Sequence, residues 1–157
     1  MYISFLKEGI LLSTNSIGEI NFMYSIFETE IIVRPDDIDM NNHVHNSKYL
    51  DYLLMARYDQ MRKDYKVPME IFVERGYSWV ASTTHIDFKR EIKLGDKIVV
   101  RTQVNTFEGA QVKVNFWIMK VETNKIAAEG WSVYTLVSIA NGRPARIPED
   151  IIQKYTV

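Results

Sequence analysis

The stretch RPDDIDMNNHVHNSKYLDYLLMAR, Arg34 to Arg57, is two kinds of sequence joined end to end. Between Asp37 and Asn46 it crowds two aspartates, three asparagines and two of the three histidines in the chain. From Asn46 onward, Tyr49, Leu50, Leu53, Leu54, Ala56, Met61 and Tyr65 recur at three- and four-residue steps, the spacing of a helix that continues to about Lys66. Burying the first group without partners would cost roughly 1 to 3 kcal/mol for each polar atom. Those residues are therefore a solvated turn or a site, set directly before a helix that carries core. Asn46 or Ser47 can cap the first turn, Asp51 suits the positive end of the helix dipole, and Pro68 marks the end.

On either side of this helix the period changes to two. Phe27, Thr29, Ile31 and Val33 alternate with Glu28 and Glu30, and Pro35 stops that strand. Val80 to Phe88, Ile98 to Val104, Val112 to Ile118 and Glu129 to Val137 repeat the alternation, with turn residues at Leu94–Asp96, Phe107–Ala110 and Glu122–Lys125. Connections this short join antiparallel neighbours. One strand, one long helix and a run of antiparallel strands make an α+β domain in which a sheet wraps the helix. Leu53 and Leu54 are adjacent, as are Tyr49 and Leu50, so the helix needs burial on most of its sides.

A chain of 157 residues with 46% apolar and 25% charged residues is one globular domain able to bury about 70% of its unfolded surface. A formal net charge of −1 excludes a nucleic-acid binder held by phosphate contacts. The lack of cysteine removes thiolate nucleophiles and metal sites and fits a reducing compartment such as the cytoplasm. No apolar run reaches the roughly 18 residues needed to span a membrane. Residues 1–22 lack a basic start, and Glu8 interrupts their apolar segment, so they read as an N-terminal extension to a domain of residues 23–157.

Arg34–Arg57 resembles the signature of the hotdog-fold acyl thioesterases, a group that includes 4-hydroxybenzoyl-CoA thioesterase and the acyl-ACP thioesterases. The likeness lies in Asp39, the turn at Asn41 and Asn42, the His43–Val44 pair, Asn46 and the helix start at Tyr49. The order of strands and helix from Ser25 to Val137 agrees with it. The resemblance implies a hotdog fold that hydrolyses acyl-CoA or acyl-ACP without cofactor or metal. Asp39 would be the nucleophile or general base, and Asn41, His43 and Glu91 of FKRE the further catalytic residues of the acyl-ACP branch. Backbone N–H groups at Asn46 or Ser47 would bind the thioester oxygen. It also implies a homodimer or dimer of dimers whose sites draw on both subunits, with Thr83, Thr84 and His85 near Asp39 of the second copy. One departure stands out: many bacterial relatives carry a glutamate about where this chain has Leu54.

The residue types suit that chemistry without the family. A carboxylate activates water or attacks, and N–H groups at a helix start stabilise an oxyanion. Other readings compete at each residue. Asp39 alone fits a turn, His43 and His45 fit a metal site, Glu91 beside Lys89, Arg90 and Lys93 fits a solvated strand end, and His85 fits a strand position with a satisfied hydrogen bond. At the level of the whole chain the rivals are a hotdog hydratase or dehydratase using Asp39 with His45, and a non-catalytic acyl-CoA-binding module.

Overall fold

The computed structural model describes residues 4–5, 11–14 and 20–156. The expected extension lies largely outside them. Its described backbone forms three short strands, β1 (Ser4–Phe5), β2 (Leu11–Thr14) and β3 (Ile20–Met23), paired antiparallel in a sheet of their own, where no strand is expected from the pattern of residues.

The main sheet has five antiparallel strands: β4 (Ile26–Ile32), β5 (Tyr77–Phe88), β6 (Lys97–Glu108), β7 (Gln111–Lys120) and β8 (Lys125–Ser138). Their spatial order is β4-β6-β7-β8-β5, so β4 and β5 are the edges. The period-two expectation holds well for β6 and β7, whose Ile98, Val100, Thr102 and Val104, and Val112, Val114, Phe116 and Ile118, are all buried. Gly109 takes φ +60° in the two-residue connection between them, a conformation open to glycine at no steric cost.

β5 departs from simple alternation. Its pairing with β8 slips between Ala81 and Thr83, and Ser82 turns its hydroxyl to the Val133 carbonyl. Such a bulge reverses the faces beyond it. Trp79 before the slip packs on Phe72, and Ile86 after it packs in the core under the helix.

Helix α1 (Lys48–Lys63) lies across the sheet and buries Tyr49, Tyr52, Leu53 and Ala56 against residues of all five strands. Burial is one-sided in the single chain: Leu50, Leu54, Met55 and Tyr58 are each about half exposed. The helix ends before Pro68. Lys66 takes φ +57°, Val67 N–H returns to the Met61 carbonyl, and Pro68 instead opens a second helix, α2 (Met69–Glu74). Proline sets the backbone for a helix start as readily as it ends one. A third helix, α3 (Glu149–Tyr155), forms where the residue pattern predicts no element. It buries Ile151 and Tyr155 in a second core formed by Met61, Tyr65, Phe72, Val104 and Leu136 at the far end of α1.

Candidate active site

Residues Ile38 to Val44 fold into a tight hairpin closed by a single antiparallel bridge between its ends. Asp39 N–H donates to the His43 carbonyl at 2.8 Å, and Asn42 N–H donates to the Asp39 carbonyl at 3.0 Å. Asn42 sits in the left-handed region at φ +60°, which asparagine tolerates better than most residues. The asparagines thus serve the turn, with Met40 fully exposed at its tip.

Asp39 serves both turn and site. Its Oδ1 accepts the N–H of Asn41 at 2.8 Å and of His43 at 3.3 Å, the local bonding that makes aspartate a turn former. Its Oδ2 has no hydrogen-bond partner among the described residues. Burial alone would raise the Asp39 carboxyl, but the Asn41 and His43 N–H groups and the two neighbouring histidines outweigh it and hold it below the ordinary aspartate value. Hence it is ionised at neutral pH, with one oxygen tied and one free.

Below the hairpin is Asp37, a residue that reading the sequence passed over. It is 5% exposed, and its carboxylate accepts the Tyr52 hydroxyl at 2.6 Å and the Arg34 N–H at 3.0 Å, with Lys48 Nζ at 3.8 Å. Its carbonyl takes the His45 N–H at 2.8 Å. Burial pushes the Asp37 carboxyl up, and the Tyr52 and Arg34 donors with Lys48 more than offset this, leaving it lowered. The carboxylate therefore pins the Pro35–Asp37 turn that leads into the hairpin to the first turns of α1. Asp37 stood within the polar cluster, but nothing in the spacing identified Tyr52, fifteen residues on, as its partner.

The start of α1 corrects the capping expectation. Neither Asn46 nor Ser47 caps the helix with its side chain. Ser47 Oγ and N–H instead meet His45 Nδ1 at 2.9 and 3.2 Å, and the N–H groups of Lys48 and Tyr49 go to the carbonyls of His45 and Asn46. The backbone N–H of Asn46 has no acceptor among the described residues.

Asp39, His43, His45, Asn46, Tyr49 and Glu91 line one open depression of about 470 Å³, with Phe88 and the Lys89–Arg90 pair on its other side. Glu91 arrives through a tethered loop. Val44 N–H donates to the Ile92 carbonyl at 2.8 Å, the N–H groups of Lys89 and Arg90 both reach the Ala127 carbonyl, and Ile92 is fully buried. The Glu91 carboxyl is lowered by its own backbone N–H first, then by Lys93 and His43.

The other expected residues lie apart. Asn41 gives the site its backbone N–H but does not line the depression, and Ser47 turns to His45. Thr83 and Thr84 are exposed on the edge strand β5, where Thr84 shares a hydrogen bond with Ser132, so one chain does not bring them to Asp39. His85 also lies on β5, with Nε2 3.1 Å from Asp87. Among the described residues no three histidine or carboxylate side chains gather closely enough to hold a metal, and no helix is long and apolar enough to cross a membrane.

A family model described as the thioesterase-like superfamily matches residues 33–155. The chain is 24% identical over 135 residues to an acyl-acyl carrier protein thioesterase of Arabidopsis thaliana, covering 85% of this chain and 69% of that one. It is 19% identical over 127 residues to a long-chain acyl-CoA thioesterase of Escherichia coli, covering 81% and 95%. A solved DHNA-CoA thioesterase from Staphylococcus aureus superposes with a TM-score of 0.77 at 18% identity, over 83% of this chain and 89% of that one, which shows a shared fold.

Proposed function

From a chain that belongs to the thioesterase-like superfamily, we propose an enzyme that hydrolyses acyl thioesters of coenzyme A or an acyl carrier protein to the free acid and thiol. The observation that carries this reading is the half-engaged carboxylate of Asp39, with Oδ1 committed to the hairpin and Oδ2 free, in the same depression as the unpaired Asn46 N–H.

In this reading a thioester carbonyl lies over the start of α1. Asp39 Oδ2 activates water, or attacks the carbonyl itself, and the oxyanion that develops is stabilised by the Asn46 N–H and the positive end of the helix. Glu91 is the second carboxylate of the depression, which His43 of the Asp39 hairpin also lines. The Lys89–Arg90 side suits the phosphates of coenzyme A or an acidic carrier.

The active form we propose is a homodimer, or a dimer of dimers. Support comes from the exposed edge β5 and from the half-exposed apolar side of α1, where Leu50, Leu54 and Met55 are open in the single chain. In that assembly Thr83 and Thr84 approach Asp39 of the second copy. The lack of cysteine fits work in the cytoplasm.

The test is steady-state hydrolysis of short, long and aromatic acyl-CoAs by the parent and by Asp39→Asn. The substitution keeps the size of the side chain and an oxygen for the Asn41 N–H, so the fold survives, while turnover falls about 10²- to 10⁴-fold. A folded Asp39→Asn protein with near-normal turnover would reduce Asp39 to a turn residue and end this reading.

A further inference from the structure

Toward the other end of α1 lies a second cavity of about 90 Å³. Met61, Met69, Phe107 and Val112 give it an apolar wall, and the half-exposed Leu54 and Tyr58 stand at its rim. Arg57 also lines it, and Arg57 is 6% exposed.

A cation this far from water normally has a carboxylate beside it, because leaving it unpaired is costly. Among the described residues none pairs with Arg57. Its hydrogen bond is a single long one, Nη1 donating to Thr102 Oγ1 at 3.4 Å, and that hydroxyl is itself committed to Gln60 Oε1. Three aromatic faces surround the guanidinium, Tyr65 at 5.7 Å and Tyr134 and Tyr155 at 6.0 Å. Rings of this kind stabilise a desolvated cation by about 2 kcal/mol, and the Tyr65 and Tyr155 hydroxyls also lie toward the guanidinium, but a neutral phenol leaves its charge without a counterion. Nor does a phenolate supply the missing charge: burial pushes the Tyr155 hydroxyl up to about 12 and the Tyr65 hydroxyl upward too, against the pull of Arg57.

A second observation points the same way. Trp79 lines the same cavity, and its indole Nε1–H is buried with no acceptor. Native structures leave few such groups unsatisfied, and here the Tyr65 hydroxyl beside Arg57 is a second one. The cavity therefore offers an apolar wall and unpaired donors, one of them charged.

We propose that this cavity binds an apolar chain ending in a carboxylate, with the carboxylate on Arg57 and Trp79 Nε1 as the second donor. Arg57 is the right residue for it, since its planar fork matches a carboxylate bidentately. Two sources have that chemistry: the far end of an acyl group that itself ends in a carboxylate, and a free acid bound head inward. Both rest on the thioesterase reading, under which α1 spans about 13 Å from its first residue to Arg57, within reach of a medium-length acyl chain.

The decisive measurement contains no thioester. Titration calorimetry of the full chain compares decanoate with 1-decanol. The acid is expected to bind about tenfold or more tightly, the difference a charge-assisted hydrogen bond makes. Arg57→Met erases the preference, and Trp79→Phe, which keeps a ring but removes the N–H, narrows it. Equal binding of acid and alcohol overturns the proposal, as does an undiminished preference in folded Arg57→Met. Should circular dichroism show that Arg57→Met does not fold, Trp79→Phe decides, and an undiminished preference there overturns it. Kinetics then separates the sources. A tenfold gain in kcat/KM for an acyl-CoA ending in a carboxylate over its methyl-ended equal places the group on the substrate, while competitive inhibition by decanoate without that gain places it on the product. A chain that hydrolyses no thioester would still pass or fail the calorimetric test.

Discussion

The two ends of α1 are built by opposite rules. At its N-terminus, polar side chains stand in an open depression, and the backbone is held by short-range hydrogen bonds: Asp39 to Asn41 and His43, Asn42 to Asp39, Ser47 to His45. At its C-terminus Met61 of α1 and Tyr65 just beyond it meet Phe72 of α2, Leu136 of β8 and Tyr155 of α3, partners that the chain brings from far apart in sequence. The first end can lose its reactive charge and keep its shape, because an asparagine in place of Asp39 still offers an oxygen to the Asn41 and His43 N–H groups and the Asp39–His43 and Asn42–Asp39 backbone bonds remain. The second depends on volume, so a substitution there is felt as instability before it is felt as chemistry.

The sharpest way to break this comparison is Tyr155→Ala. The ring is 2% exposed, stacks on Tyr65 at 4.1 Å between centroids and meets Phe107 edge-on at 6.0 Å. Truncating a large buried aromatic typically costs about 3 to 5 kcal/mol. Urea denaturation should show a loss of that size. A loss below about 1 kcal/mol would mean that α3 is only loosely docked and that the second core does not depend on it.

These opposite rules also explain what the sequence disclosed. The hairpin and the start of α1 were legible because turn chemistry and helix periodicity are local signals: asparagine for a left-handed turn, aspartate for its own downstream N–H, apolar residues at three- and four-residue steps. β6 and β7 were legible because each buries one face, giving a clean period of two. β5 misled, since one extra residue at Ser82 shifts its phase and the exposed edge relaxes the need for alternation. α2 and α3 are each a turn or two long, too short for periodicity to show, and Pro68 gave the signal of an ending where it makes a beginning. Asp39, His43, Asn46 and Glu91, singled out through the family resemblance, come together in one depression. Asp37 with Tyr52, and Arg57 with its ring of tyrosines, are pairings made by the fold, and no spacing rule announces them.

A mid-sized effect should come from the contact where the two rules meet, the buried bond from Tyr52 to Asp37. Tyr52→Phe keeps the ring in the core and removes the donor, so a buried carboxylate loses its 2.6 Å partner. Hydrogen bonds to charged groups are worth about 1.5 to 3 kcal/mol, and a loss in that range is expected at neutral pH. The sign with pH follows from Asp37, whose carboxyl is lowered in the folded chain. Its stabilising contribution is fully present above the unfolded value of about 3.9 and is lost as pH falls through the folded value. The parent and Tyr52→Phe should therefore converge in stability toward acid. A gap that stays constant from pH 7 to pH 3 would show that the phenol acts by packing and not through the carboxylate. Hydrolysis should also suffer in Tyr52→Phe, because Asp37 anchors the turn leading into the Asp39 hairpin.

The smallest effect is assigned to the residue that looks most like a cap. Asn46 precedes α1, and an asparagine in that place commonly contributes about 0.5 to 2 kcal/mol through its side chain. Here that side chain makes no capping bond, and what Asn46 offers the depression is its backbone N–H. Asn46→Ala leaves that N–H in place. The expected cost is under about 0.5 kcal/mol in stability, as for exposed positions free of special contacts, with kcat changed by less than about threefold. Both numbers come from one preparation, by thermal unfolding and steady-state hydrolysis. A large fall in kcat with stability unchanged would mean that the Asn46 amide group, not the backbone, holds the thioester oxygen, and the polar end of α1 would then depend on a side chain after all.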